Sequence, residues 1–257
     1  MKIKIISDLH ADINKGIVWN FDPDTFYVIC GDISGDAEYT RDFVKKYIKQ
    51  GVFVAGNHLG YSGHLTLDES LDLLRSNFNK GKVRFLNNNV YTVGKVVFIG
   101  TTLWTDFNLY GCVTECMEIA WNCLNDYRYV RTFNPKFGGM ITRIGPLTTL
   151  GYFKKNVEYI EKQIQKHKDK KVVIVTHHAP SLKSIDDKYV YDKTSAAYAS
   201  NLEWLIEKYS NIVLWCHGHV HSKARYRINH TRIVCEPYGY YNENLMDLSD
   251  LGYEINV

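Results

Sequence analysis

Short apolar runs that end in aspartate, asparagine or histidine recur along this chain, and they constrain its fold more than any other feature. Each run has the length and the β-branched content of a buried strand. The runs and the polar residues after them are 2–7 with Asp8 and His10, 27–31 with Asp32, 52–56 with Asn57 and His58, 171–176 with His177 and His178, and 212–216 with His219 and His221. Because the carboxyl ends of parallel strands meet at one edge of a sheet, we expect these side chains to converge.

The strand-like runs alternate with amphipathic helical segments, which is typical of an α/β fold built from βαβ units. The pattern predicts helices at 39–50, 65–78, 113–124, 153–168 and 195–209, strands at 83–86, 90–93 and 96–99, and a hairpin formed by 225–228 and 232–235. Residues 105–150 contain a long stretch without a clear period, and we interpret them as a cap insertion over the sheet edge. We therefore expect a single domain over residues 1–257 with this insertion inside it.

The composition restricts the class of protein. A chain of 257 residues with 45% hydrophobic and 23% charged residues can bury a substantial core. The net charge of +3 is small, so the sequence leaves nucleic acid open as a substrate but does not favour it. The six cysteines have no paired framework, and neither a signal peptide nor an apolar membrane span is evident. We expect a cytoplasmic protein without membrane association, and the sequence does not indicate its oligomeric state.

The residue types at the strand ends predict the kind of metal they bind. Carboxylate, amide and imidazole groups together suit manganese, iron, zinc or a mixed pair better than calcium, which prefers oxygen ligands alone. Asp32 is the candidate carboxylate that could bridge two cations. Two cations about 3.5–4 Å apart can hold the attacking and leaving oxygens of a phosphoryl displacement. The ligand set therefore predicts a two-metal hydrolytic site.

Five motifs of the chain resemble, in order, those of the calcineurin-like metallophosphoesterase family. They are Asp8-Leu9-His10, Gly31-Asp32-Ile33-Ser34-Gly35, Gly56-Asn57-His58, His177, and Gly218-His219-Val220-His221. The resemblance covers residues 8 to 221, and each motif comes after a predicted strand. It implies an αββα two-sheet sandwich with a binuclear metal site at the strand ends.

The resemblance also implies a role for each motif residue. Asp8, His10 and His221 would bind the first metal ion. Asn57, His177 and His219 would bind the second, and Asp32 would bridge the two. A hydroxide between the metals would attack phosphorus in line. His58 would bind no metal, and it would either protonate the leaving oxygen or stabilise the developing charge.

Two positions depart from the Ser/Thr protein phosphatases of this superfamily. Those enzymes carry an arginine soon after the bridging aspartate, where this chain reads Ile33-Ser34-Gly35-Asp36. They also carry an acid directly after the asparagine–histidine pair, where this chain has Leu59. The first departure disfavours a protein phosphatase. The second leaves the orientation of His58 to another residue, for which Asp12 and Asp36 are candidates.

The insertion supports two interpretations. Its aromatic and basic residues could form a small additional core with solvated arginines. Alternatively they could form a cap whose rings stack on a base while an arginine binds phosphate, with Asn108 and Asp126 as further polar contacts. On the second interpretation, the candidate substrate contacts are Arg128 and Arg143. Independently of the insertion, His178 could contact substrate or donate a hydrogen bond to a residue beside the metals.

These observations lead to one functional hypothesis and its alternatives. We expect metal-dependent hydrolysis of a small phosphomonoester or phosphodiester, of a nucleotide-like kind. A nuclease or RNA end-processing enzyme is the alternative. A non-catalytic scaffold is disfavoured because every ligand position and His58 are intact.

Overall fold

The computed structural model describes residues 1–134, 138–243 and 251–257. Residues 135–137, which belong to the expected cap insertion, lie outside the described residues. The strands are β1 Lys2–Ile6, β2 Tyr27–Ile29, β3 Gly51–Phe53, β4 Val83–Phe85, β5 Asn89–Val93, β6 Val96–Gly100, β7 Arg131–Asn134, β8 Met140–Arg143, β9 Lys171–Val175, β10 Ile212–His217, β11 Ala224–Ile228, β12 Thr231–Cys235 and β13 Tyr253–Asn256. The helices are α1 Ala37–Tyr47, α2 Leu67–Asn77, α3 Val113–Cys123, α4 Asp126–Tyr129, α5 Pro146–Lys166 and α6 Glu203–Lys208, with 3₁₀ turns at Leu182–Ser184, Asp187–Tyr189 and Lys193–Ala197.

Two large mixed sheets form the centre of the fold. The first has the order β13-β1-β2-β3-β4, in which β1 to β4 are parallel and β13 is an antiparallel edge strand. The second has the order β11-β12-β10-β9-β6-β5, in which the central strands β12, β10, β9 and β6 are parallel. Strands β7 and β8 form a separate hairpin.

Alternate side chains of the central strands enter two different cores. Val28 packs in a core made of residues from both sheets, whereas its neighbour Ile29 packs with the helices. Phe98 and Ile99 divide in the same way on the second sheet. Because the side-chain period of a strand is two residues, this division means that both faces of each sheet are covered. The predicted αββα two-sheet sandwich is confirmed.

The helices begin where the sequence provides caps. The side chain of Asp36 accepts a hydrogen bond from Tyr39 N at the start of α1, and Thr66 and Glu69 form a reciprocal capping box at the start of α2. Helix α5 begins at Pro146, seven residues before the predicted start, because Gly145 and Pro146 favour a helix N-terminus. None of the helices in the described part of the chain combines the length and the hydropathy that a membrane span requires.

The predicted helix at 195–209 is wrong. Its first residues form a 3₁₀ turn and its last residues form α6, with extended backbone between them. Ala179 N donates to Tyr198 O (3.1 Å), and Ser200 N donates in return to Ala179 O (3.1 Å). The apolar period of this segment is real, but the helix is interrupted because backbone groups of residues 198–202 pair with the loop after β9.

The insertion at 105–150 contains α3, α4 and the β7–β8 hairpin, and α5 begins within it. Its buried side chains Cys116, Ala120, Tyr127 and Val130 belong to the same core as the outer faces of the sheets. The aromatic ring of Trp121, by contrast, is exposed. The division of the whole chain into one domain with a cap stays a prediction.

Replacing Phe98 by alanine tests the packing between the sheets. Phe98 is fully buried and stacks on Phe26, with ring centroids 5.2 Å apart. We expect Phe98→Ala to lower the free energy of unfolding by about 3–5 kcal/mol, because it leaves a cavity between two rigid sheets. Urea denaturation followed by circular dichroism measures this change. Val18→Ala, at an 82% exposed position, is the control and should change it by less than about 0.5 kcal/mol. Equal stability of the two variants would contradict the packing.

Candidate metal centre

The candidate ligands leave the two sheets at the same edge. Asp8, Asp32 and Asn57 come after the carboxyl ends of the parallel strands β1, β2 and β3. His177 and His219 come after the carboxyl ends of the parallel strands β9 and β10. The backbone N–H of His219 donates to both carboxylate oxygens of Asp8, at 3.0 and 3.1 Å. This contact joins the sheets at the point where the ligands emerge.

Five of the candidate ligands have a left-handed backbone conformation, which non-glycine residues adopt rarely. Their φ angles are 53° for Asp8, 41° for His10, 47° for Asp32, 71° for His219 and 48° for His221. Such a conformation costs on the order of 1–3 kcal/mol per residue and persists only where surrounding contacts hold it. Five residues with this conformation lie at one edge of the sheets, which indicates that the chain turns sharply after these strands. The turns direct the side chains toward one another.

The first group of ligands consists of Asp8, His10 and His221. One ligand atom from each of them lies within 4.8 Å of the other two. His10 Nε2 is 3.0 Å from His221 Nε2, and His221 Nε2 is 3.6 Å from Asp8 Oδ1. Asp8 and His10 are fully buried.

The second group consists of Asp32, His177 and His219, whose ligand atoms also lie within 4.8 Å of one another. His177 Nε2 is 3.3 Å from Asp32 Oδ2 and 2.8 Å from Asn57 Oδ1, so the asparagine belongs to this group. Asp32 also forms a third group with His10 and His58. The carboxylate of Asp32 therefore lies between the two groups, where a bridging ligand would have to be.

The donor atoms of both groups fit a pair of metal ions. His219 Nε2 is buried and has no hydrogen-bond partner, which is costly for a polar atom unless a cation binds it. The Nε2 atoms of His10 and His221 face each other, and a cation can use the lone pairs of both. Imidazole, carboxylate and amide oxygen are all donor groups that metal ions use in proteins, and which metals bind here stays a prediction.

Burial and charge set the protonation of these groups. Burial holds the pKa of His10 and His219 well below the usual value, so both imidazoles are neutral and able to ligate a metal. Burial also acts to lower the pKa of His177, but the neighbouring Asp32 carboxylate outweighs it and raises this pKa to about 9. The centre thus combines neutral imidazoles with an ion pair between Asp32 and His177. A bound metal would replace the proton that the His177 imidazole carries in this pair.

His58 lies at the side of this centre and is partly exposed. Its Nε2 is 3.7 Å from Asp32 Oδ2 and 3.4 Å from the hydroxyl of Tyr240. Its ring stacks on Tyr61 at a centroid distance of 4.1 Å and an angle of 16°. This position places the imidazole in the lining of the cleft beside the centre.

Asp12 and Asp36, the two acids expected to orient His58, have other partners. Asp36 caps α1, and Asp12 Oδ2 accepts a hydrogen bond from Gly35 N at 3.0 Å. Their carboxylates are engaged by backbone N–H groups because both lie at turns where such groups are otherwise unpaired. The expectation that one of them orients His58 is therefore not supported by any contact among the described residues.

The three candidate substrate contacts lie in different surroundings. His178 is 1% exposed, its Nδ1 is 3.2 Å from Thr102 O, and its ring packs against Trp104 and His219. Arg128 donates to Asn122 O at 2.8 Å, and the guanidinium of Arg143 lies 5.8 Å from the ring centroid of Trp121. None of the three is among the described residues that line the cleft beside the centre. Their role in substrate binding stays a prediction.

Sequence reasoning missed several residues that surround the ligands. Tyr198 stacks on His219 with centroids 4.5 Å apart, and Tyr240 stacks on His10 with centroids 4.4 Å apart. Glu243 Oε2 is 2.7 Å from His221 Nδ1, which fixes the orientation of that ring. These residues belong to no motif and lie far along the chain from most of the ligands. The frequency of tyrosine, 19 in the chain, was the one available signal.

A cleft with a volume of about 750 Å³ opens onto the centre. Aromatic rings of Tyr61, Tyr189, Tyr198 and Tyr240 contribute to its lining, as does the insertion through residues 123–126. This volume is typical of a site for a small organic molecule.

Comparison with known proteins identifies the fold and the family of the motifs. A family model described as calcineurin-like phosphoesterase matches residues 1–223. Uncharacterized protein L509 of Acanthamoeba polyphaga mimivirus is 24% identical over 268 residues, which cover 94% of this chain and 92% of the relative.

Two solved structures are similar to this chain in fold. The phosphopantetheinyl hydrolase PptH from Mycobacterium tuberculosis has a TM-score of 0.70 and 17% identity, covering 93% of this chain and 89% of that chain. A putative 5'-nucleotidase from Staphylococcus aureus, in complex with alpha-ketoglutarate, has a TM-score of 0.50 and 16% identity, covering 91% of this chain and 48% of that chain. At these identities the likeness extends to the fold alone.

A glycine before Asn57 provides a test of the ligand geometry. A Cβ added at Gly56 would lie 1.8 Å from Asp32 Oδ1. We expect Gly56→Ala to displace the Asp32 carboxylate and to weaken manganese binding by at least about tenfold. Isothermal titration of chelator-treated protein with manganese measures this change. Gly151→Ala, where an added Cβ meets nothing within 4 Å, is the matched control. If both variants bind manganese as the unmodified protein does, the described position of Asp32 is wrong.

Proposed function

The chain belongs to the calcineurin-like phosphoesterase family, and from this premise we propose that it hydrolyses a small, nucleotide-like phosphomonoester or phosphodiester. As a member of this family the chain is a phosphoric ester hydrolase. The size and chemistry of the substrate, the metals and the roles of the residues form the proposal.

The observation that carries the proposal is the convergence of seven ligand side chains from five strand ends. Asp8, His10 and His221 would hold one cation, Asn57, His177 and His219 would hold the other, and Asp32 would contact both. Manganese, iron, zinc or a mixed pair suits these donors. Two such cations supply Lewis-acid stabilisation of the charge that develops on a transferred phosphoryl group.

His58 is proposed to donate a proton to the leaving oxygen. It lines the cleft, and its Nε2 lies within 3.7 Å of the Asp32 carboxylate that the two metals would share. A proton donor beside the reacting group would stabilise the alkoxide that forms when the P–O bond breaks. The partial exposure of the ring allows it to regain a proton from solvent after each turnover.

The shape of the cleft favours a small substrate with a ring. Its volume of about 750 Å³ accommodates a nucleotide-sized molecule. Tyr198 and Tyr240 lie against His219 and His10, so a planar group of the substrate can pack on tyrosine while its phosphate reaches the metals. The two similar structures are named a phosphopantetheinyl hydrolase and a putative 5'-nucleotidase. Both names refer to small substrates, which is the size class proposed here.

The charges of the cleft disfavour the nuclease alternative. Among the described residues that line it, Lys188 is the one lysine or arginine, and its Nζ lies 3.6 Å from Asp186 Oδ2. Asp126, Asp192 and Glu243 add negative charge. A site for a polynucleotide needs several cations along the phosphate backbone, and this lining does not supply them.

Hydrolysis of defined esters tests the proposed substrate class. We expect chelator-treated protein reloaded with manganese to hydrolyse the p-nitrophenyl ester of thymidine 5'-monophosphate faster than p-nitrophenyl phosphate or bis-p-nitrophenyl phosphate, because its base can pack on tyrosine. Release of p-nitrophenol measures the rate. An unreloaded sample is the control. Faster cleavage of an oligonucleotide, with a rate that falls steeply as salt rises, would support the nuclease instead.

Two substitutions separate the roles of ligand and proton donor. We expect Asp32→Asn to abolish binding of the metal pair, because it removes the shared carboxylate charge. His58→Ala should keep both metals but lower kcat by about 10²–10⁴-fold, most for esters with poor leaving groups. Elemental analysis of the loaded variants and kcat for esters of graded leaving-group pKa measure these effects. Equal loss of metal in the two variants would show that the roles are assigned wrongly.

A further inference from the structure

A buried carboxylate from the insertion reaches the metal centre. Asp126 is the first residue of α4 and is 3% exposed, although a charged side chain in an insertion would normally lie in solvent. Its Oδ1 accepts a hydrogen bond from Asn57 Nδ2 at 2.7 Å and a second one from the hydroxyl of Tyr61. One oxygen atom of the insertion thus engages two residues from the loop after β3.

The contact with Asn57 determines which end of its amide faces the metals. A carboxamide presents an acceptor oxygen on one side and a donor NH₂ on the other, and rotation by half a turn exchanges them. Only the oxygen can ligate a cation. Because Asp126 accepts from Nδ2, Asn57 Oδ1 is directed to His177 Nε2, 2.8 Å away and inside the second ligand group. Without an acceptor at Asp126, the buried NH₂ would lose its partner and the amide its fixed orientation.

The contact with Tyr61 extends the same control to His58. The phenol hydroxyl donates to Asp126, and the ring stacks on the imidazole of His58 at 4.1 Å and 16°. The position of Tyr61 therefore fixes the plane of His58. Leu59, directly after His58, is 2% exposed and packs in the core, so it makes no polar contact with the imidazole.

We propose that Asp126 is a positioning residue that holds the Asn57 oxygen toward the second metal and, through Tyr61, holds His58 in line with the leaving group. The inference rests on the proposed function. On this inference a residue of the insertion orients His58, which is the role that an acid directly after Asn57 and His58 would otherwise have. The orientation of Asn57 and His58 would then depend on a residue that lies 69 positions after Asn57 in the chain.

Three variants test this inference. Asp126→Leu keeps the size of the side chain but removes the acceptor, whereas Asp126→Asn keeps one acceptor oxygen. Asp106→Leu is the matched control. Asp106 is an aspartate of the insertion whose side chain accepts from the nearby Asn108 N, and it is not among the described residues that line the cleft. Manganese affinities come from isothermal titration of chelator-treated protein. The kcat and KM values come from hydrolysis of the p-nitrophenyl ester of thymidine 5'-monophosphate.

We expect Asp126→Leu to weaken binding of the second manganese ion and to lower kcat, each by about 10–100-fold, with KM changed much less. Asp126→Asn should restore both to within a few-fold of the unmodified protein, and Asp106→Leu should change neither. Wild-type manganese affinity and kcat in Asp126→Leu would overturn the inference. A loss that Asp126→Asn does not rescue would also overturn it, because the acceptor oxygen would then not be the cause.

If Asp126→Leu does not fold, the variant Tyr61→Phe tests the contact between Asp126 and His58 instead. Tyr61→Phe keeps the ring on His58 but removes the hydroxyl that Asp126 holds, so kcat should fall several-fold at unchanged manganese affinity. Unchanged kcat would overturn the role of Asp126 in placing His58. The manganese titration does not depend on turnover. If the unmodified protein hydrolyses none of the esters while Asp126→Leu still weakens the second manganese site, the proposed function fails and the positioning role stands.

Discussion

The hydrogen bonds from His219 N–H to the Asp8 carboxylate hold the two sheets together at the edge where all the ligands emerge. Asp8 lies just after the first strand of one sheet, and His219 lies just after a central strand of the other. The approach is close enough that a Cβ at Gly218 would lie 2.7 Å from Asp8 Oδ2, so glycine is needed between them. Each of the two groups of candidate ligands combines residues from both sheets, so a shift of one sheet against the other would pull the members of each group apart. The chemistry of the centre therefore depends on the packing of the sandwich.

This convergence has a cost that a bound metal would offset. The rings of His177, His178 and His219 are buried and lie with their centroids 4.3–5.4 Å apart. Burial raises the pKa of Asp8 and lowers that of His219, which shows that the protein interior disfavours the charged form of both. Cations that bind only the folded state would stabilise it through mass action. The left-handed backbone at these positions adds to the strain that such binding would compensate.

Most buried residues of the insertion extend the hydrophobic core, whereas Asp126 contacts the metal centre. Phe107 and Tyr127 are buried, as expected for an extension of the core, and Arg143 lies against the ring of Trp121. These contacts agree with the interpretation in which most of the segment is structural. Asp126, on the other hand, leaves that core and contacts Asn57 in the metal centre. The insertion thus contacts Asn57 through Asp126 and lines part of the cleft through residues 123–126, and tyrosines from other parts of the chain also line the cleft.

The sequence by itself determined the fold class, most strands of the two large sheets and the convergence of the candidate ligands. The runs before Asp8 and Asp32 are strands because their apolar residues enter two cores in alternation, and parallel strands deliver the residues at their carboxyl ends to one edge. Only the tertiary structure decided the extended segment around Ala199, since its backbone pairs with a distant loop. It also decided the partners of Asn57 and His58, because hydrogen bonds between residues far apart in the chain leave no period or spacing in the sequence.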